Sequence, residues 1–147
     1  MPGLVVVYKG LIDEIITQLK TITELSTVGT DIKVTKWNGS RNPTVGRYEA
    51  FVLASTMTSE DFTTNSSNNT FTILVDLIYY SAEFEAGFDG VLTVAEKIYD
   101  KFHGTNINGK CRVARVELAP GDGELSARNL LAIPVRIIIR CEKIIVQ

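Results

Sequence analysis

"TFTILVDLIYYS", residues 70–81, is the stretch whose reading decides the fold. Phe71, Ile73, Val75, Leu77 and Tyr79 fall on one side of an extended strand, and Leu74, Ile78 and Tyr80 fall on the other with Asp76 among them. Side chains alternate across a strand, and a surface strand of an antiparallel sheet alternates apolar with polar residues. This strand is apolar on both faces. The first face calls for amphipathic helices of the same chain. The second calls for further cover, with a neighbouring copy of the chain expected over Leu74, Ile78 and Tyr80. A carboxylate buried alone is costly, so Asp76 needs a partner, and Arg136 or Arg140 is the expected one.

Those arginines stand in the other long period-two segment, "NLLAIPVRIIIRCEKIIV". Leu131, Ile133, Val135, Ile137, Ile139 and Cys141 share one face; Arg136, Arg140 and Glu142 share the opposite one, with Ile138 between the arginines. Burial of each large apolar side chain contributes on the order of 1.5–3 kcal/mol. Pro134 lies on the arginine face and lacks a backbone donor, which points to an edge strand or a bulge.

Outward from these two strands, the spacing of Leu4, Tyr8, Leu11, Ile12, Ile15, Leu19 and Ile22 marks a helix over 4–22, and Phe84, Phe88, Val91, Leu92, Ala95, Ile98, Tyr99 and Phe102 mark another over 82–102. Ser81 or Asp89 caps the second helix, Gly87 and Gly90 leave its start open, and Gly104 stops it. Short strands are expected at 32–37, 47–57 and 111–119. The turn-rich segment 38–46, the polar segment 59–69 and the segment 120–128 read as loops, with 59–69 as a long, mobile hairpin connection. The expectation is one α+β domain over 1–147: a mainly antiparallel sheet of about five strands with two amphipathic helices on one face, in the order α-β-β-β-α-β-β.

The totals fit that picture. The 147 residues are 45% hydrophobic and 22% charged with a net charge of −2, the make-up of a globular domain without a dedicated nucleic-acid surface. Cys111 and Cys141 are too few for a disulfide scaffold and read as small buried thiols. No secretory leader pattern opens the chain, and no apolar run reaches the ~18 residues of a membrane helix. A cytoplasmic protein with reduced cysteines is expected.

Chemistry is scarce. His103 is the one histidine; it sits at a helix end, where it complements the dipole, and no second histidine or nucleophile accompanies it. "PGDGE", 120–124, lacks the lysine and the following helix of a phosphate loop, so Gly121 and Gly123 are expected to supply positive backbone angles in a hairpin turn. Glu96 and Asp100 share a helix face with interleaved lysines, the pattern of a solvated face. Arg136 and Arg140 suit either contact with an anionic group or a solvated sheet face, and Trp37 and Tyr48 suit either an interaction surface or core packing. No catalytic, cofactor-binding or metal-binding residue emerges. The surplus is apolar strand surface and long polar loops, features of a subunit that buries faces or edges against copies of itself.

In organisation the chain resembles the tail terminator (tail completion) proteins of tailed bacteriophages. The likeness runs from the N-terminal amphipathic helix and its "TVGTDIKV" passage into the first strand, through "FTILVDLIYYS" leading into "VLTVAEKIYDKF", to the final "LLAIPVRIIIRCEK". The resemblance implies a structural virion protein with no enzymatic activity and no cofactor. It implies a homo-oligomeric ring, commonly a hexamer, at the head-proximal end of the tail. Its partners would be the tail tube protein and the head-completion or connector protein, with DNA only in passage through the lumen and no membrane. Another head–tail joining or tail-tube subunit is the nearest alternative, and a small α/β ligand-binding domain or enzyme a more distant one. A ferredoxin-like RNA binder would need aromatic and basic residues that this sheet lacks. Asp76, Arg136, Arg140, Glu142, Trp37, Arg41, Arg47 and Phe62 are the candidates for the subunit interface or lumen, with the loops 38–46, 59–69 and 120–128 as contacts to neighbours, tube or connector.

Overall fold

Three sixteen-residue strands form the middle of the protein. The computed structural model describes residues 4–36, 41–125 and 129–146, apart from the side chain of Phe62. The elements run α1 (Leu4–Leu19), a 3₁₀ turn (Thr23–Leu25), β1 (Val34–Lys36), β2 (Tyr48–Thr63), β3 (Ser66–Ser81), α2 (Phe84–Phe102), β4 (Val113–Pro120), β5 (Glu124–Leu125) and β6 (Leu131–Val146). The six-stranded sheet has the order β1-β2-β3-β6-β4, and β5 also pairs with β6. All pairings are antiparallel except β1 with β2. This is the α+β architecture expected, with the last hairpin divided by the additional short β5.

Both helices lie on the face read as the core. Leu11, Ile15 and Leu19 of α1 and Val91, Val94, Ala95, Ile98 and Phe102 of α2 join Phe71, Ile73, Val75, Leu77, Ile133, Val135, Ile137, Ile139 and Cys141 in one cluster. α2 approaches the sheet closely enough that Gly87 is required: a Cβ there would stand 2.3 Å from Ile133 Cδ1 and 2.6 Å from Ser81 Cβ. Ser81 does not cap α2. Its hydroxyl donates to the Glu83 carbonyl (2.7 Å) and accepts from the Glu83 N–H (3.2 Å), bracing the turn before the helix. Gly104, at φ +75°, ends α2 as expected.

Segment 59–69 is not a mobile loop. β2 and β3 stay paired from Thr58↔Thr70 to Thr63↔Ser66, and β6 flanks β3 out to Ser66↔Val146. The segment is polar because this end of the sheet is wet on much of its surface, so it lacks the period-two apolar signal; the turn is only Thr64–Asn65. A bulge at Ser55–Thr56 bends β2 on the way. The Tyr8 hydroxyl fills it, accepting from the Ser55 N–H at 3.0 Å and donating to the Thr72 carbonyl. Burial raises the Tyr8 pKa.

Gly121 and Gly123 are absent from the glycines with positive φ; crowding explains them instead. A Cβ would meet Pro134 Cγ at 3.0 Å from Gly121 and the Phe84 ring at 3.2 Å from Gly123. Pro134 is likewise not on an edge strand, since β6 is flanked by β3 and β4. Opposite it the ladder is broken between Pro120 and Glu124, so its missing donor is tolerated. Cys111 and Cys141 are free and buried.

Candidate interaction surface

The helix-free face of the sheet divides into a covered lower half and an open upper half. The chain itself covers the lower half. Phe51, Ile78, Tyr80, Leu130 and Ala132 form a second buried cluster there. Ile78 and Tyr80 are 3% and 0% exposed within one copy, which corrects the expectation that a neighbouring subunit buries them. Their cover is local: the segment before β2 folds back over this face, where the Asn42 N–H reaches the Glu49 carboxylate, while the Gly46 N–H donates to the Tyr80 carbonyl (2.9 Å) and the Tyr80 N–H to the Arg47 carbonyl (3.1 Å) at the end of the β2–β3 ladder.

A buried ion cluster holds that segment down. Glu49, 2% exposed, accepts at Oε1 from the Asn42 N–H (2.6 Å) and Arg47 Nε (3.0 Å), and at Oε2 from the Tyr80 hydroxyl (3.0 Å). Arg47 also pairs with Asp31. Burial, reinforced by the Glu49 carboxylate, pushes the Tyr80 pKa up to about 12. Burial opposes the Arg47 charge, but the hydrogen bonds to Glu49 and Asp31 outweigh it and raise its pKa. Arg47, a candidate for contacts between subunits, therefore has its charge matched inside its own chain. Sequence reading did not find Glu49. Its alternation with Ala50 and Phe51 places it on the helix-free face beside Ile78, and that parity was the available signal.

The upper half keeps its charges at the surface. Asp76 and Arg136 are direct cross-strand partners and form a bidentate pair, with Nε–Oδ1 at 2.8 Å and Nη2–Oδ2 at 3.1 Å. Of the two arginines expected as partners of Asp76, Arg136 is the one observed. The hydrogen bond to Asp76 raises the Arg136 pKa. Arg140 reaches Glu117 at 3.4 Å across to β4 and stands directly opposite Arg115, a like-charge juxtaposition that is unfavourable by itself. Glu142 shares this face and has no ion pair among the described residues. Leu53, Leu74 and Ile138 lie between these charges, half-buried. Arg41, Asp76, Ile78, Glu124, Pro134 and Arg136 border a shallow cleft of ≈ 280 Å³ where the two halves meet.

Trp37 lies outside the described residues, as do 38–40 of the first candidate loop and 126–128 of the last. Phe62 stands in β2 at the far end of the sheet. Tyr48 packs inward, stacked on Tyr79 with ring centres 4.2 Å apart. His103 is exposed; its Nδ1 accepts the Val116 N–H at 3.0 Å and its ring stacks on Tyr99, so it closes part of the outer edge of β4. Among the described residues no group of three potential metal ligands forms, and no helix is long and apolar enough to cross a membrane.

No family model and no curated protein matches the chain. Among the solved structures similar to it are two at low identity. One is 15% identical, with 90% of this chain and 94% of the other covered, at a TM-score of 0.47. The second, from the virion of a native gene transfer agent particle, is 15% identical, with 92% and 97% covered, at a TM-score of 0.44.

Proposed function

We propose that this protein is a structural virion subunit: a ring-forming tail terminator that caps the head-proximal end of a phage tail tube, stops its polymerisation and offers a docking surface to the head connector. The observation that carries the reading is the open upper half of the sheet face, where Leu53, Leu74 and Ile138 lie among Asp76–Arg136 and Arg140–Glu117 in a chain with no assembled catalytic group among its described residues. The resemblance of its sequence organisation to that of tail terminators supports the role. In this reading the protein acts by shape and self-association, without a cofactor. Its partners are copies of itself, probed most simply as a hexamer, together with the tube protein and the head-completion protein. DNA only passes through, and a near-neutral chain suits a lumen that does not grip phosphates. Arg136, Arg140 and Glu142 face neighbours or the lumen wall, and the protein resides in the tail of the assembled virion.

Deleting the protein and imaging the particles tests this. Overlong tubes without heads are expected. Normal tails joined to normal heads would overturn the proposal.

A further inference from the structure

The two edges of the sheet carry matching features at matching levels. The register fixes the levels. Thr58, Thr70, Glu142 and Val113 form one row across β2, β3, β6 and β4. At this upper level the β2 edge continues into Glu60 and Asp61, while the β4 edge is preceded by Lys110 and Arg112. All four are exposed, and none has an ion pair among the described residues. Near the other end, Ser81, Leu131 and Leu125 form a row. There the β5 edge presents Leu125 (71% exposed), with Phe84 (46%) beside Gly123, and the carboxylates of Asp122 and Glu124. The β1 edge at this level presents Ile32 (52%) and Val45 (66%) with Lys33. The hydrogen bond from the Ala50 N–H to the Lys33 carbonyl (2.9 Å) and those joining Gly46 and Arg47 to Tyr80 set the height of these residues.

We infer that the β1–β2 edge of one copy docks against the β4–β5 edge of the next, head to tail and in step. Acid then meets base at the upper level, and apolar side chains meet apolar side chains at the lower. Lys33 meets Asp122 and Glu124. A two-fold contact that runs identical edges antiparallel would instead bring Leu125 and Phe84 against Lys110 and Arg112, or Ile32 and Val45 against Glu60 and Asp61, burying charge on apolar groups; one that runs them side by side at the same level would set Lys110 and Arg112, or Glu60 and Asp61, against their own copies, like charge on like. A head-to-tail contact that closes makes a ring. Side chains make the contact, because the 103–105 turn already occupies the outer side of β4: Ala114 exchanges hydrogen bonds with Gly104 and Thr105, and Val116 donates to His103. Edge-to-edge neighbours leave Arg136, Arg140 and Glu142 on a continuous wall. This contact deepens the self-association proposed above and rests on that reading.

Cysteines placed at both edges test it. The buried Cys111 and Cys141 leave the background quiet. With Ile32→Cys and Leu125→Cys in one chain, a short bismaleimide is expected to give a ladder of several rungs. Chains carrying one cysteine each, mixed, are expected to stop at the dimer. Leu125→Asp in the double-cysteine chain is not possible at the same position, so Val45→Asp serves as the blocking change and is expected to abolish the ladder. Three results overturn the contact: no crosslinking above that of a cysteine pair on the exposed face of α2, dimers from either single-cysteine chain alone, or a ladder indifferent to Val45→Asp. Loss of the ladder with tube capping intact would sink this contact and leave the functional reading standing; a full ladder with unaltered tails would do the reverse.

Discussion

The lower and upper halves of the helix-free sheet face have the same kind of sequence and different fates. Each mixes large apolar side chains with charge: Phe51, Ile78 and Tyr80 with Glu49 below, Leu53, Leu74 and Ile138 with Asp76 above. Below, the segment before β2 lies over the strands and the carboxylate is desolvated, so every lone pair it leaves unmet is expensive. Above, no described segment covers the strands, and Leu53, Leu74 and Ile138 stay half-buried. The Arg136 side chain there is 51% exposed against 9% for Arg47, and water screens its ion pair. One face is thus finished within the chain at one end and left for other contacts at the other.

The largest effect should come from the covered half. Glu49→Ala leaves Arg47 buried with Asp31 as its remaining ion partner and removes the acceptor of the Tyr80 hydroxyl. A loss of roughly 3–5 kcal/mol is expected in urea unfolding; a loss below that of Asp76→Ala would break the comparison. Tyr80→Phe removes one hydrogen bond to the same carboxylate, and about 1–3 kcal/mol is expected, read in the same way.

The open half should respond less. Asp76→Asn is expected to cost at most about 1 kcal/mol in the isolated subunit, shrinking as salt is added. A salt-insensitive loss as large as that of Glu49→Ala would mean that this half is not open. Smaller still is the Glu24–Lys97 pair, at 2.6 Å, away from both halves. The hydrogen bond from Lys97 holds the Glu24 pKa below its ordinary value of 4.5. The pair therefore stabilises the fold above that pH, and its contribution disappears as pH falls through the lower folded value. Lys97→Met is expected to flatten this part of the acid-stability curve by less than about 1 kcal/mol.

The sequence exposed what periodicity can carry. The odd-numbered side chains from Ile133 to Cys141 and the inward stripe of α2 follow from periodicity alone, because a buried face imposes one register; parity put Asp76 on a face with both Arg136 and Arg140, and only the strand register selects Arg136. The paired arm at 59–69 was hidden because Ser59, Glu60, Ser67 and Asn68 supply no apolar alternation, though their backbones pair as well as any. Gly121 and Gly123 were misread because local turn chemistry is visible in a chain and the nearness of Pro134 and Phe84 is not. The division of the sheet face was hidden for the same reason: whether Ile78 is covered depends on where residues 41–47 return, a contact set by tertiary packing.

The role itself is tested most directly by the length of tubes grown from purified tail tube protein with this protein added. Capped tubes of bounded length are expected, shortening as the ratio of this protein to tube protein rises. A length distribution unchanged by its addition would contradict the terminator reading.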